Sequence, residues 1–165
     1  MKKHLLLLYM FFSCALFLFS QTAAEMDILL ETDAVTVQTA ARFVLGSVAL
    51  LRLELSGAAA ENAAYEDAVS RGWVKSGPED AIGLQEMAYL IMNAFGLKGG
   101  IMYSLLHNPR YAYREMIYRR IIQGRTNANM KVSGQRFLLI IGKALNYAGE
   151  REFMDSVLAG SGVTD

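Results

Sequence analysis

The chain has 165 residues, 53% of them hydrophobic, and its 16 basic and 16 acidic side chains give a formal net charge of zero. This length and apolar content suit one compact domain, and the balanced charge argues against a general nucleic-acid binder. Cys14 is the only cysteine, which excludes a disulfide bond within the chain.

Residues 1–24 are predicted to be a secretory signal peptide. A pair of lysines precedes an apolar run over residues 5–19, and a small, polar stretch ending at Ala24 suits cleavage. The apolar run is shorter than the roughly 20 residues that span a bilayer. Two alternatives stay open: an uncleaved anchor, or a lipoprotein signal with the lipid on Cys14. Only these would place the protein on a membrane, and the main prediction is export to the periplasm or cell envelope.

The segment that follows the predicted cleavage site, residues 25–34, is acidic. It contains Glu25, Asp27, Glu31 and Asp33. Loss of the two lysines of the signal peptide leaves the mature chain slightly acidic, which again argues against nucleic acid as a partner. The remaining chain is predicted to be one helical domain over residues 35–160, followed by a tail over 161–165.

Apolar residues that recur every three or four positions predict three long helices, over Thr36–Leu55, Gly83–Leu97 and Ser133–Tyr147. Thr36 and Ser133 stand where a hydroxyl would cap the helix N-terminus, and Gly83 is a weaker cap. We expect these helices to be the longest and to pack against one another.

Three shorter helices are predicted over residues 65–72, 117–124 and 153–160, because each segment ends on a glycine that suits a helix stop. An insertion begins at Gly99, and residues 101–107 are predicted to add a helical turn or two. Asn108 and Pro109 then have the types expected at the cap and first turn of the next helix.

The head of each long helix repeats one pattern at a period of about 50 residues, which is typical of a repeat architecture. The three copies are Val35-Thr36-Val37-Gln38, Ile82-Gly83-Leu84-Gln85 and Val132-Ser133-Gly134-Gln135. The sequence therefore predicts an all-α repeat fold.

This pattern resembles the S-layer homology module, in which a short helix ending in glycine precedes a long helix that opens Ile-Thr-Arg-Ala-Glu-Ala-Ala. Residues 67–95 resemble one copy, and the resemblance extends over 35–160, with the first short helix displaced to the C-terminus as in a circular permutation. It implies three long and three short helices in a pseudo-threefold bundle. Residues 99–113 also resemble segments of exported spirochaetal envelope proteins.

The chain departs from the family at the motif arginine, which in the family lines a groove for acidic cell-wall polysaccharide. Val37, Leu84 and Gly134 occupy the matching positions, so none supplies that charge. Thr39 and Arg136 replace the motif glutamate in two copies. The polar motif residues that remain are Gln38, Gln85, Glu86 and Gln135. They either close loops between helices or form what is left of a glycan site.

A better candidate surface lies in the aromatic and basic stretch between residues 103 and 125. Arginine binds carboxylates in a forked geometry, and tyrosine rings stack on sugars or on partner side chains. The predicted ligand- or partner-binding residues are Tyr103, His107, Arg110, Tyr111, Arg114 and Tyr118. The alternative is that Arg114 merely stacks on a tyrosine at a solvated surface.

No catalytic, metal or cofactor site is predicted. Ser104 and His107 are three residues apart, but no carboxylate nearby in sequence would orient the imidazole. One histidine in the mature chain does not make a metal ligand set.

The predicted function is an exported, non-catalytic binding or assembly module of the bacterial cell envelope, with cell-wall polysaccharide or another envelope protein as its partner. The alternative is a lysozyme-like envelope glycan hydrolase, for which Glu86 is the candidate acid. A third possibility is a chaperone-like or adaptor subunit. Trp73 is expected to fill the core, with sugar stacking as the alternative.

Overall fold

The computed structural model of the protein describes residues 25–48 and 57–160. The predicted signal peptide with Cys14, the last part of the first predicted long helix and the tail over 161–165 lie outside these ranges.

Seven helices account for most of the described chain, and the prediction of an all-α fold is confirmed. Within residues 25–48 and 57–160 no strand forms, and only isolated bridges join Thr36 to Ala81 and Gly83 to Lys131. The helices are α1 (25–31), α2 (Val37–Ser47), α3 (Gly57–Ser70), α4 (Leu84–Ala94), α5 (Ile101–Leu106), α6 (Pro109–Tyr118) and α7 (Gly134–Gly160).

The predicted starts of the long helices are confirmed. The Thr36 hydroxyl accepts a hydrogen bond from the Thr39 amide at 3.2 Å, and Gly83 occupies the cap position of α4 without a side-chain bond. Helix α7 begins directly after Ser133, whose carbonyl accepts from the Phe137 amide at 2.9 Å. At these positions the first N–H groups of each helix have no partner within the helix itself.

The predicted lengths of the helices need correction. Helix α3 has 14 residues and is longer than α2 and α4, which have 11 each. The predicted short helix over 65–72 is the end of α3, and Gly72 follows it with a φ of 70°. The prediction of a separate helix over 153–160 is wrong, because α7 continues through this segment for 27 residues.

The predicted short helix over 117–124 is also wrong. Helix α6 ends at Tyr118, and Arg120 takes the left-handed conformation with a φ of 58°. Ile121 and Ile122 are buried from a loop and not from a helix. Their apolar character therefore reflects core contact without helical structure.

Backbone hydrogen bonds connect the three repeated segments. In each case the first residue of a helix donates its N–H to a carbonyl that precedes another of the three helices. The pairs are Val37 to Asp80 at 2.9 Å, Leu84 to Met130 at 3.1 Å, and Gly134 to Thr32 at 2.8 Å. Two further bonds join the same segments, from Val35 to Val132 and from Ile82 to Val35. The helix starts are thus satisfied by neighbouring segments and not by water.

Helix α2 connects the parts of the core. It packs against α3 and α4, and α4 packs in turn against α6. The rings of Phe43 in α2 and Phe137 in α7 meet edge to face, with centroids 6.3 Å apart. The expected packing of the three motif-bearing helices against one another is therefore present in part, for α2 with α4 and for α2 with α7.

The acidic segment over 25–34 packs against this core. Leu29 is buried, and Glu25 forms an ion pair with Arg42 of α2 at 2.7 Å. A Cβ atom added at Gly134 would stand 1.5 Å from the Leu29 carbonyl oxygen. Because the obstacle is backbone, only glycine lets α7 begin this close to α1.

Replacing Gly134 with alanine is therefore expected to destabilise the fold by about 1–3 kcal/mol or more, the usual cost of overpacking. Gly46→Ala is the matched control, because Gly46 lies in the last turn of α2 with nothing within 4 Å of the added Cβ. The control should stabilise the protein by about 0.5–1 kcal/mol through helix propensity. Urea unfolding of both variants tests the contact, and equal stabilities would contradict it.

Candidate functional site

The predicted binding residues lie around α5 and α6. Asn108 caps α6, and its side-chain oxygen accepts from the Tyr111 amide at 3.1 Å, with Pro109 in the first turn as predicted. His107, Arg110, Arg114 and Tyr118 are exposed, and the last three are spaced four residues apart along α6. They therefore form one line of exposed side chains along this helix.

The expectation that Tyr103 lies on this exposed surface is wrong. Its side chain is 4% exposed and belongs to the core, with its ring 4.8 Å from the His107 ring. Burial, with a smaller contribution from the neighbouring Tyr89, raises the pKa of Tyr103 to about 12, although a hydrogen bond with Asn93 acts in the opposite direction. Tyr111 is half-buried and packs against the core.

Arg110 and Arg114 keep their charges available. Neither forms a salt bridge or a cation–π contact within the described parts of the chain. Arg114 borders a shallow cleft of about 420 Å³ with Ile101 and Met102. Within the described residues, Arg114 therefore does not stack on a tyrosine ring as the alternative expected.

Arg119 has a different position, in the interior of the fold. It pairs with Glu115 at 2.7 Å, donates to the Lys98 carbonyl, and lies 4.7 Å from the centre of the Tyr147 ring. These contacts connect α6 to α7 and to the loop that precedes α5. Arg119 is thus a structural residue.

Sequence reasoning missed the apolar side chains of α5. Ile101 is 82% exposed and Leu105 is 75% exposed, while Met102 and Leu106 are also exposed. Only Tyr103 of this six-residue helix is buried. The signal was present in the sequence, because a helix of this length cannot bury five large apolar residues on one face. We define the α5–α6 surface as Ile101, Met102, Leu105, Leu106, His107, Arg110, Arg114 and Tyr118.

A groove of about 340 Å³ lies beside the start of α4. Its lining includes Trp73, Tyr89, Gln85 and Asn129, together with the charged residues Lys75 and Glu86. Trp73 also packs against the core, and the Arg71 guanidinium lies 5.0 Å from its ring. The groove has the aromatic and amide groups that suit a polar, neutral ligand.

Glu86 borders this groove, but its oxygens are engaged by the loop before α4. One carboxylate oxygen accepts from the amides of Lys75 at 2.7 Å and Ser76 at 3.0 Å, and the other accepts from the Ser76 hydroxyl at 2.7 Å. Arg136 takes the corresponding position in the first turn of α7 and donates to the carbonyls of Gln123 and Arg125. Both residues hold the loop that precedes their own helix.

The three motif glutamines do not meet at one site. Gln38 is buried and donates to Asn62 of α3 at 2.8 Å, Gln85 borders the groove, and Gln135 is exposed. The positions of the family's motif arginine are all buried, at Val37, Leu84 and Gly134.

The remaining chemistry-bearing groups are dispersed. The Ser104 hydroxyl donates to the Gly99 carbonyl at 3.3 Å and not to His107. In the part of the chain that the structure describes, no three histidine, cysteine or acidic side chains are grouped as metal ligands would be. No helix among the described residues has both the length and the apolar character needed to cross a bilayer.

Comparison of the chain with protein-family models, with curated proteins and with solved structures finds no significant match.

If Glu86 anchors the loop, Glu86→Gln should destabilise the protein by about 1.5–3 kcal/mol, because hydrogen bonds to a charged acceptor are lost. Amide exchange at Lys75 and Ser76 should become faster. Glu79→Gln is the matched control, since Glu79 is an exposed carboxylate of the same loop. Unchanged exchange at both amides in the Glu86 variant would show that the loop is held by other contacts.

Proposed function

We propose that the protein is an exported, non-catalytic binding or assembly module of the bacterial cell envelope that docks another envelope protein on its α5–α6 surface. The observation that carries this proposal is the exposure of four large apolar side chains on α5, two of which, Ile101 and Met102, border one cleft with Arg114 of α6. Contiguous apolar surface on a folded domain commonly marks a site of association.

The chemistry of this surface specifies the partner. Burying apolar surface is worth roughly 25 cal/mol per Å², so the α5 side chains supply most of the affinity. The two arginines favour a partner with carboxylates at matching positions, which improves orientation and association rate more than affinity. The partner is therefore an apolar protein face with an acidic border.

We also propose that the repeats are arranged with pseudo-threefold symmetry, as in the S-layer homology modules that the sequence resembles. The cyclic hydrogen bonds from Val37, Leu84 and Gly134 support this arrangement, because each joins one repeated segment to another and the third returns to the first. The burial of these same three positions argues that glycan binding does not follow the family's arginine-based scheme.

A second candidate partner is cell-wall polysaccharide in the groove beside α4. Trp73 and Tyr89 line this groove, and Gln85 and Asn129 of its lining have amide donors and acceptors. This candidate predicts binding that depends on Trp73 and is insensitive to salt, unlike the contact at Arg110 and Arg114.

The hydrolase alternative has less support. Glycosidases generally use two carboxylates that flank the scissile bond. Glu86 is the one carboxylate among the described residues that line this groove, and its oxygens hold the loop. A binding function needs no such pair.

Replacing Arg110 and Arg114 together with alanine should weaken binding to the envelope partner by roughly 2- to 10-fold, the value of two exposed charge contacts. The thermal midpoint should hardly change, because both side chains are exposed. Capture from a solubilised envelope extract, followed by titration of the captured protein, gives the measurement. Binding of the original protein should fall as salt rises, since exposed charges are screened beyond roughly 10 Å at 0.1 M.

The control removes two exposed charges elsewhere, with Arg125→Ala and Lys131→Ala. Leu105→Ser should weaken the same binding without changing its salt dependence. A parallel pull-down on isolated peptidoglycan, with turbidity followed in the same tube, separates glycan binding from hydrolysis. Normal binding by the double arginine variant would assign function to another surface.

The export proposal makes its own prediction. Mass spectrometry of the protein recovered from cells should give a mature N-terminus at Glu25, which then pairs with Arg42. A diacylglyceryl mass on Cys14 would establish the lipoprotein alternative, and a full-length chain would establish the uncleaved anchor.

A further inference from the structure

Helix α7 has a second exposed face that the proposed function does not use. Phe137, Ile140 and Ala144 point into the core. The residues on the opposite side of the helix, at spacings of three and four, are Leu139, Gly142, Asn146, Gly149 and Phe153. Leu139 is 57% exposed and Phe153 is 67% exposed. This face is therefore a stripe of two large apolar side chains at the ends of a Gly-Asn-Gly series, at the period of a helix-pairing seam.

The two glycines of this stripe have no explanation within the monomer. Glycine inside a helix lowers its stability, and it is normally retained where a close approach or an unusual backbone angle requires it. Gly142 and Gly149 have no atom within 4 Å of an added Cβ, and their φ angles are ordinary for a helix. Their small size instead suits the close approach of another helix from outside.

The pattern of this face is nearly the same when read in either direction from Asn146. Leu139 and Phe153 stand seven residues before and after it, and the two glycines stand four before and three after. Seven residues span about 10 Å of helix. Two antiparallel copies crossing at Asn146 would therefore place Leu139 of each against Phe153 of the partner subunit.

The charged residues beside the stripe are also arranged nearly symmetrically about Asn146. Lys143 precedes Asn146 by three residues and Glu150 follows it by four, and both lie on the same flank of the stripe. In an antiparallel pair, like flanks face each other, so each Lys143 would meet Glu150 of the partner subunit. A parallel pair would not give this match. The order of charges along this flank therefore matches that of an antiparallel second copy.

We infer that the protein forms a twofold homodimer through antiparallel packing of α7 on α7 of a second copy, with Asn146 at the axis. Closed twofold dimers are the commonest soluble homo-oligomers, and their interfaces are self-complementary in this way. The α5–α6 surface does not serve this role, because a twofold contact there would bring Arg110 and Arg114 of the two copies together. It stays available for the proposed envelope partner.

The test measures self-association of the purified mature protein by sedimentation. Either Lys143→Glu or Glu150→Lys alone should raise the dimer dissociation constant about tenfold or more, because like charges then face each other. The double variant Lys143→Glu with Glu150→Lys should restore it to within about threefold of the original. Lys131→Glu and Glu79→Lys are exposed charge reversals away from α7 and should change nothing.

A second variant tests whether Asn146 lies at the twofold axis of the inferred dimer. Asn146→Cys should give a disulfide-linked dimer under mild oxidation, since only residues near the axis approach their own copy within disulfide distance. Gln123→Cys, exposed in a loop, is the control and should stay monomeric on a denaturing gel. Far-ultraviolet circular dichroism confirms that each variant is folded. A monomeric original protein, a dimer that the double variant does not restore, or a dimer without the Asn146→Cys link would each overturn the inference.

Discussion

The fold depends on how the starts of three helices are satisfied inside the core. The first turns of α2, α4 and α7 leave N–H groups free, and leaving such groups unpaired away from water is costly. The chain meets this constraint by pairing the first residues, Val37, Leu84 and Gly134, with carbonyls of neighbouring repeated segments. The close approach needed for the third pair is also why residue 134 has no side chain, since a Cβ would meet the Leu29 oxygen.

The same constraint explains the divergent motif residues after each helix start. The loop before α4 presents amide groups, and a carboxylate, Glu86, accepts from them. The loop before α7 presents carbonyls, and a guanidinium, Arg136, donates to them. Opposite charges at equivalent positions thus do the same structural work, because each matches the polarity of the backbone it faces. The need to pair the loop amides therefore explains why a carboxylate stands at Glu86, without any contact to a ligand.

Apolar periodicity and cap residues were sufficient to predict where α2, α4, α6 and α7 begin, because these signals are local. They were insufficient where tertiary contact decides the structure. Ile121 and Ile122 lie in a loop, but they are buried and their spacing from other apolar residues is the same as in a helix. Residues 148–152 contain Gly149 but no proline that would stop α7. For the site, charge predicted the exposure of Arg110 and Arg114. Burial of Tyr103 and exposure of Ile101 could not be separated by residue type, since both are large and mainly apolar.

The inferred dimer interface on α7 would change how the proposed α5–α6 surface binds its partner. The inferred twofold pair through α7 would carry two α5–α6 surfaces on one particle. Linking two binding sites makes the second contact intramolecular, so avidity exceeds the affinity of one surface when both reach the same target. Two exposed arginines and a six-residue apolar helix form a small contact, which by itself suits a weak, reversible complex. If the protein pairs through α7 as inferred, the duplication is therefore a physical route by which such a weak contact would support stable binding to the proposed partner.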